Sequence, residues 1–275
     1  MSTPILNASG CLDALTAPEV ARALDAYVTK TVTPLPREGN PPPRIAETDS
    51  GMLNSIGLQN PGLDAFLEQN LPRLAGLGVP IWVSVGGFSA SDYALVCERI
   101  DEEDEVATIE LNLSCPNVEE APETAAELVA AARGATSKTL YAKLSPATWD
   151  VAESARAVAA AGADGLSLIN TIRGFAIESS TGRSKLALGP GGYSGPALRP
   201  IALACVYACR EAVDLPIVGM GGVVTGRDVH DFVAAGASAV ALGTILFSDP
   251  WAPERVRAEP AQSVPPERCL RISKQ

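Results

Sequence analysis

Short apolar, β-branched runs recur along the chain, and each gives way to a stretch with apolar residues at helical spacing. The runs are Pro4–Gly10, Ala26–Val32, Pro80–Gly86 and Thr108–Ser114, then Leu140–Ser145, Gly165–Thr171, Pro216–Gly221 and Ala239–Thr244. Alanine-rich segments such as Glu123–Ala135 and Val151–Ala161 separate them. Ala-Gly-Ala turns at Ala161–Ala163 and Ala235–Ala237 each stand where a helix should end before a strand. Strands apolar on both faces and alternating with helices predict a parallel sheet in an α/β fold. Eight of them favour a closed (β/α)8 TIM barrel over an open sheet, as one domain spanning residues 1–275.

The rhythm breaks at Thr33–Pro72, a stretch rich in Pro, Gly and Asn and too long for an ordinary βα loop. Such insertions sit at the catalytic mouth, so this one is expected to cover the C-terminal face, although its Thr33–Arg44 half reads equally as a structural flap. The C-terminal strand ends carry Ser9, Lys30, Ser84, Asn112, Cys115, Lys143, Asn170 and Thr171. The last two strands end instead in Gly221-Gly222 and Gly243-Thr244, where bare backbone N–H groups can approach an anion. Together these residues ask for a phosphorylated ligand beside two lysines and several amides.

Composition narrows the chemistry. A net charge of −11 without a basic stripe argues against nucleic acid as a partner. No signal-peptide pattern and no membrane-length apolar run point to a cytoplasmic protein, and the six scattered cysteines lack zinc-site spacing. The lone histidine, His230, falls in the predicted surface helix Gly226–Ala235, which leaves no material for a Ser-His-Asp or metal–histidine mechanism. Glu110 lies inside a strand, facing either the helix layer or the barrel. The remaining base candidate is Cys115, a thiolate if nearby positive charge lowers its pKa. Cys97, Cys205 and Cys209 read as structural, in apolar helical patterns, and Cys11 as ambiguous at the same rim. Three prolines within Glu254–Gln275 predict a loose, divergent tail.

An ordered set of motifs is more specific. It comprises Thr29–Thr31, Arg37–Arg44 (REGNPPPR), Gly51–Gly62 (GMLNSIGLQNPG) and Asn112–Val118 (NLSCPNV). Ser167–Thr171 (SLINT), Gly192–Pro196 (GYSGP), Gly219–Gly222 (GMGG) and Gly243-Thr244 continue it. With these the chain, from Asn7 to Asp249, resembles the class 1 dihydroorotate dehydrogenases, and within them the 1B catalytic subunit.

The resemblance implies FMN across the barrel mouth. Ser9, Lys30, Thr31, Asn112, Lys143 and Ile169 would contact the flavin or ribityl chain, and Gly195, Gly221, Gly222, Gly243 and Thr244 the phosphate end. Dihydroorotate would be held by Lys30, Asn54, Ile56, Gly57 and Leu58, and by Asn112, Asn117, Asn170 and Thr171. Cys115 would remove the C5 proton while hydride passes from C6 to flavin N5, giving orotate for pyrimidine biosynthesis. The resemblance also implies a homodimer core and, by analogy, an electron-transfer subunit with FAD and a [2Fe–2S] cluster, with no metal in this chain. The 1A enzymes, which reduce fumarate, are the neighbouring subclass. Ser84 stands where the family has asparagine, and Val118–Pro122 replaces its glycine-rich loop. These departures leave two other readings: a flavin-dependent oxidoreductase of another dihydropyrimidine, or a non-catalytic flavin-binding barrel.

Overall fold

A computed structural model describes residues 3–113, 124–148 and 150–259. Its first elements are β1 (Ile5–Asn7), α1 (Pro18–Arg22), β2 (Tyr27–Val28), β3 (Ile45–Thr48), β4 (Gly51–Asn54) and α2 (Leu63–Ala65). A π-helical turn over Phe66–Asn70 leads into α3 (Leu71–Ala75), β5 (Ile81–Val85), α4 (Ala90–Asp101), β6 (Val106–Asn112), α5 (Ala125–Ala135) and β7 (Thr139–Leu144). Next come α6 (Val151–Ala160), β8 (Gly165–Leu168), β9 (Ile172–Gly174), β10 (Ile177–Glu178), β11 (Arg183–Ser184) and β12 (Gly191–Ser194). The chain continues through α7 (Arg199–Ala212), β13 (Ile217–Met220), α8 (Gly226–Ala234), β14 (Ala239–Leu242) and α9 (Ala252–Ala258).

The eight expected strands form one parallel sheet in the order β1-β14-β13-β8-β7-β6-β5-β2. The ring closes where Leu6 bridges Ala26 and the Asp25 amide donates to the Ile5 carbonyl at 2.9 Å. A side chain extends this seam. The fully buried Asn7 accepts from the Val28 amide at 2.8 Å and donates to its carbonyl at 2.7 Å, doing the work of a backbone ladder.

Strand side chains alternate between two environments. Outward residues such as Val83, Ile109, Leu111, Leu140, Leu166 and Val240 pack against the helices in the main core. Inward ones, among them Leu6, Val28, Val218, Met220 and Ala241, meet Trp82 and Tyr141 in a second cluster inside the barrel. The helices start at residues able to satisfy their free N–H groups. Thr124 with Glu127 and Thr225 with Asp228 form capping boxes, and Ser89 and Asp150 cap α4 and α6.

Two regions differ from the sequence reading. The first part of the supposed tail is helical: α9 opens with Pro253 near its start, where the missing N–H costs nothing, and Arg255 pairs with Asp249 and Glu259. A four-stranded antiparallel sheet, β3-β4-β12-β9, also rises beside the mouth, with the hairpin β10-β11 next to it. Part of the long insertion is therefore sheet, tied to the segment after β8.

Candidate active site

The C-terminal strand ends open into a cavity of about 1010 Å³. Ser9, Lys30, Thr31, Asn112, Lys143, Ile169, Asn170 and Thr171 line it from the barrel side. Asn54, Ile56, Gly57 and Leu58 line it from the insertion, and Gly195, Gly221, Gly222, Gly243 and Thr244 complete the wall. Cys115 and Asn117 lie outside the described residues. Ser84 is buried behind the wall, where it touches the cavity-lining Thr31 and Thr29.

A chain of hydrogen bonds orders the polar side. Thr31 Oγ1 lies 3.0 Å from Ser84 Oγ and 3.3 Å from Ser9 Oγ, and it accepts from Asn112 Nδ2 at 3.4 Å. Asn170 Nδ2 donates to Asn112 Oδ1 at 3.0 Å, and Asn170 Oδ1 accepts from the Thr171 amide at 2.8 Å. Each amide is thereby oriented, because donor and acceptor ends are both assigned. Tyr93 fixes the strand end below by donating to the Asn112 carbonyl at 2.6 Å.

Two cations face this side. Lys30 folds across Gly10, and no carboxylate among the described residues lies within ion-pair distance of it. Burial pushes its ammonium below the usual lysine range; Cys11 opposes that and Lys143 adds to it. An anionic ligand would relieve this cost. Lys143 is paired instead, 3.3 Å from Glu110.

The opposite wall is backbone. Gly222 sits at φ +80°, and a Cβ there would come 2.7 Å from the Arg199 nitrogen and 3.0 Å from the Gly195 carbonyl oxygen. Gly195, at φ +119°, would place a Cβ 2.5 Å from the Gly51 Cα. The loop beyond is fixed by buried Asp228, which accepts from the Val224 and Thr225 amides at 2.9 and 2.8 Å and pairs with Arg199. Thr244 Oγ1 donates to Ser194 Oγ at 2.8 Å, joining the last barrel strand to the antiparallel sheet.

The insertion's inner limb is held by its own amides. Buried Asn60 accepts from the Thr33 and Gly62 amides and donates to Thr33 Oγ1 at 2.8 Å and the Leu58 carbonyl at 2.7 Å. Arg37 donates to the Gly57 carbonyl and lies 4.6 Å from the Phe88 ring centre.

The dihydroorotate dehydrogenase family profile matches residues 1–263. The chain belongs to the dihydroorotate dehydrogenase family. It is 46% identical over 263 residues to the dihydroorotate dehydrogenase B (NAD(+)) catalytic subunit of Geobacillus kaustophilus, covering 91% of this chain and 83% of that one. The protein of the same name from Anoxybacillus flavithermus is 45% identical over 271 residues, covering 94% and 86%. The solved structure of Eimeria tenella DHODH in complex with ferulenol superposes with a TM-score of 0.75 at 24% identity, over 92% of this chain and 79% of that one. That likeness supports the barrel fold.

In this dihydroorotate dehydrogenase family member, the other cysteines sort by place. Burial pushes Cys97 and Cys209 up to about 12, so neither is a thiolate near neutral pH. Cys11 lines the cavity, and burial raises its pKa against the pull of Lys143 and Lys30. His230 is exposed on α8, away from the cavity. Among the described residues no helix is long and apolar enough to cross a membrane, and no cluster of His, Cys, Asp or Glu is placed to hold a metal. Sequence reasoning left Glu110 undecided between the barrel and the helix layer and gave Ser194 and Asn60 no role of their own; the signal for Glu110 was its position two residues before Asn112 on one strand.

Proposed function

We propose that this chain is the catalytic subunit of an NAD-linked dihydroorotate dehydrogenase, which binds FMN and oxidises dihydroorotate to orotate. The observation that carries the proposal is one cavity uniting two lysines, an aligned set of amides and a glycine-lined wall. The residues fit the cofactor: Gly195, Gly221, Gly222 and Gly243 line the cavity without side chains, and bare backbone N–H groups there suit a phosphate. The paired amides suit a ligand with both ring N–H donors and carbonyl acceptors.

In this reading Gly195, Gly221, Gly222, Gly243 and Thr244 bind the ribityl phosphate, while Ser9, Thr31, Lys143 and Ile169 line the ring and ribityl region. FMN, when bound, supplies the acceptor for the hydride from C6. Lys30 pairs with substrate carboxylate, which repays the burial of its ammonium. Asn54, Asn112, Asn117, Asn170 and Thr171 orient the dihydropyrimidine ring, and Ile56, Gly57 and Leu58 cover it and exclude water. Cys115 Sγ takes the C5 proton. A partner subunit carrying FAD and a [2Fe–2S] cluster would accept the electrons, with a homodimer of this chain in the cytoplasm as the catalytic core.

The test is anaerobic. Protein loaded with FMN should be yellow, and Cys115→Ser should keep the colour while its flavin is reduced by dihydroorotate at least about a hundredfold more slowly, as for loss of a general base. Reduction at the parent rate would remove Cys115 from its role. A protein that takes up no FMN would overturn the reading.

A further inference from the structure

We propose that Glu110 is a positioning residue: its carboxylate fixes the Lys143 ammonium at the floor of the cavity and sets how much positive charge a bound flavin meets there. The inference rests on FMN binding in this cavity.

Three adjacent strands carry the observation. Glu110 lies on β6, Lys143 on β7 and Ser167 on β8, with Lys143 in register with Asn112 on one side and Ser167 on the other. All three are buried. The side-chain exposures of the pair are 7% for Lys143 and 2% for Glu110, so water screens their 3.3 Å contact little. Ser167 Oγ is also buried, with no hydrogen-bond partner among the described residues. Beyond this polar level the barrel interior turns apolar, with Leu6, Val28, Val218 and the rings of Trp82 and Tyr141 packed at a tilt. The charged pair therefore sits at the boundary between packed core and cavity, and of its two members only Lys143 lines the cavity.

Stability is a weak reason for such a pair, because well-packed apolar residues in its place are often as stable or more so. A reason lies in what surrounds the ammonium. Lys30 lines the same cavity and is close enough that the two cations repel. Without a carboxylate behind it, the four-carbon stem of Lys143 would be free to turn away from Lys30. Glu110 supplies the opposing attraction from below, so that Lys143 presents a fixed and partly neutralised charge upward. Reduction adds negative charge to a flavin, so a cation beside it favours the reduced form and a carboxylate behind that cation weakens the preference.

The experiment is the two-electron midpoint potential of FMN-loaded protein, measured anaerobically against a reference dye. Glu110→Gln removes the negative charge with little change of shape, and should shift the equilibrium toward reduced flavin about tenfold, a rise near 30 mV. Glu110→Asp keeps the charge and should stay close to the parent. If Glu110→Gln does not fold, the comparison of Lys143→Gln with the double variant Glu110→Gln, Lys143→Gln replaces it. Lys143→Gln alone leaves a bare carboxylate and should lower the potential, and adding Glu110→Gln should recover most of the drop. An unmoved or lowered potential in Glu110→Gln, or no recovery in the double variant, overturns the proposal. A yellow parent with these negative results fails this inference alone, whereas a parent that takes up no flavin fails the FMN reading and this inference with it.

Discussion

Strands on one side of the cavity end in side chains, and strands on the other end in bare backbone. Around β1, β2, β6, β7 and the turn after β8, a hydrogen-bonded row of hydroxyls and amides runs beside two ammonium groups. Around β13, β14 and the turn after β12, glycines bring the main chain to the cavity wall without side chains. The difference teaches how one barrel mouth can hold a ligand with two unlike ends. A ring with several donors and acceptors is distinguished by side chains whose chemistry can be varied, while an anion needs only N–H groups and space. The side-chain wall should therefore be sensitive to chemistry and the glycine wall to volume.

That contrast can be broken most forcefully at Gly222. Gly222→Val combines a positive φ with a Cβ against the Arg199 nitrogen and the Gly195 carbonyl oxygen, neither of which is a flexible side-chain end. The strain should cost about 2–3 kcal/mol of stability and weaken FMN at least about tenfold, read by thermal unfolding and by flavin fluorescence on release. Full FMN affinity in a folded variant would show that this wall does not face the phosphate.

Asn170→Ala tests the other wall. It removes the donor to Asn112 and the acceptor for the Thr171 amide. FMN should stay bound while dihydroorotate binding weakens by about 1–2 kcal/mol, roughly tenfold, seen in the concentration dependence of flavin reduction. Loss of FMN with unchanged substrate dependence would reverse the assignment of the two walls.

The smallest effect is expected at Gly243. Its φ is not in the left-handed region, and an added Cβ would meet Ala8 Cβ at 3.5 Å and Cys11 Sγ at 3.7 Å, both ordinary contacts. Gly243→Ala should fold with stability within about 0.5 kcal/mol of the parent. A loss of FMN affinity larger than the loss of stability then measures ligand approach.

Much of this was legible in the chain. Each barrel strand was visible as a β-branched run flanked by helical periodicity, and the glycine wall is written in residue types that carry no Cβ. The observed strands stop earlier than their apolar runs, β8 at Leu168 instead of Thr171, because the last residues turn outward to line the mouth. The antiparallel sheet could not be read. Its strands are three or four residues of mixed character, and Asn54 meets Gly192 across 138 residues, so pairing is decided by tertiary placement and not by local pattern. Glu110 was undecided between barrel and helix layer for a similar reason, since its partner Lys143 lies 33 residues away on the next strand. Asn60, inside a motif read for its likeness to a family, proved to be the clasp of its own loop.

The most direct measurement of the central claim is an anaerobic titration of the FMN-loaded protein with dihydroorotate, followed by the flavin absorbance, beside a parallel titration with dihydrouracil. The account predicts that dihydroorotate bleaches the flavin with one orotate formed per flavin reduced, and that dihydrouracil, which lacks the carboxylate for Lys30, leaves it yellow. A yellow protein that dihydroorotate cannot reduce, or that dihydrouracil reduces as readily, would contradict it.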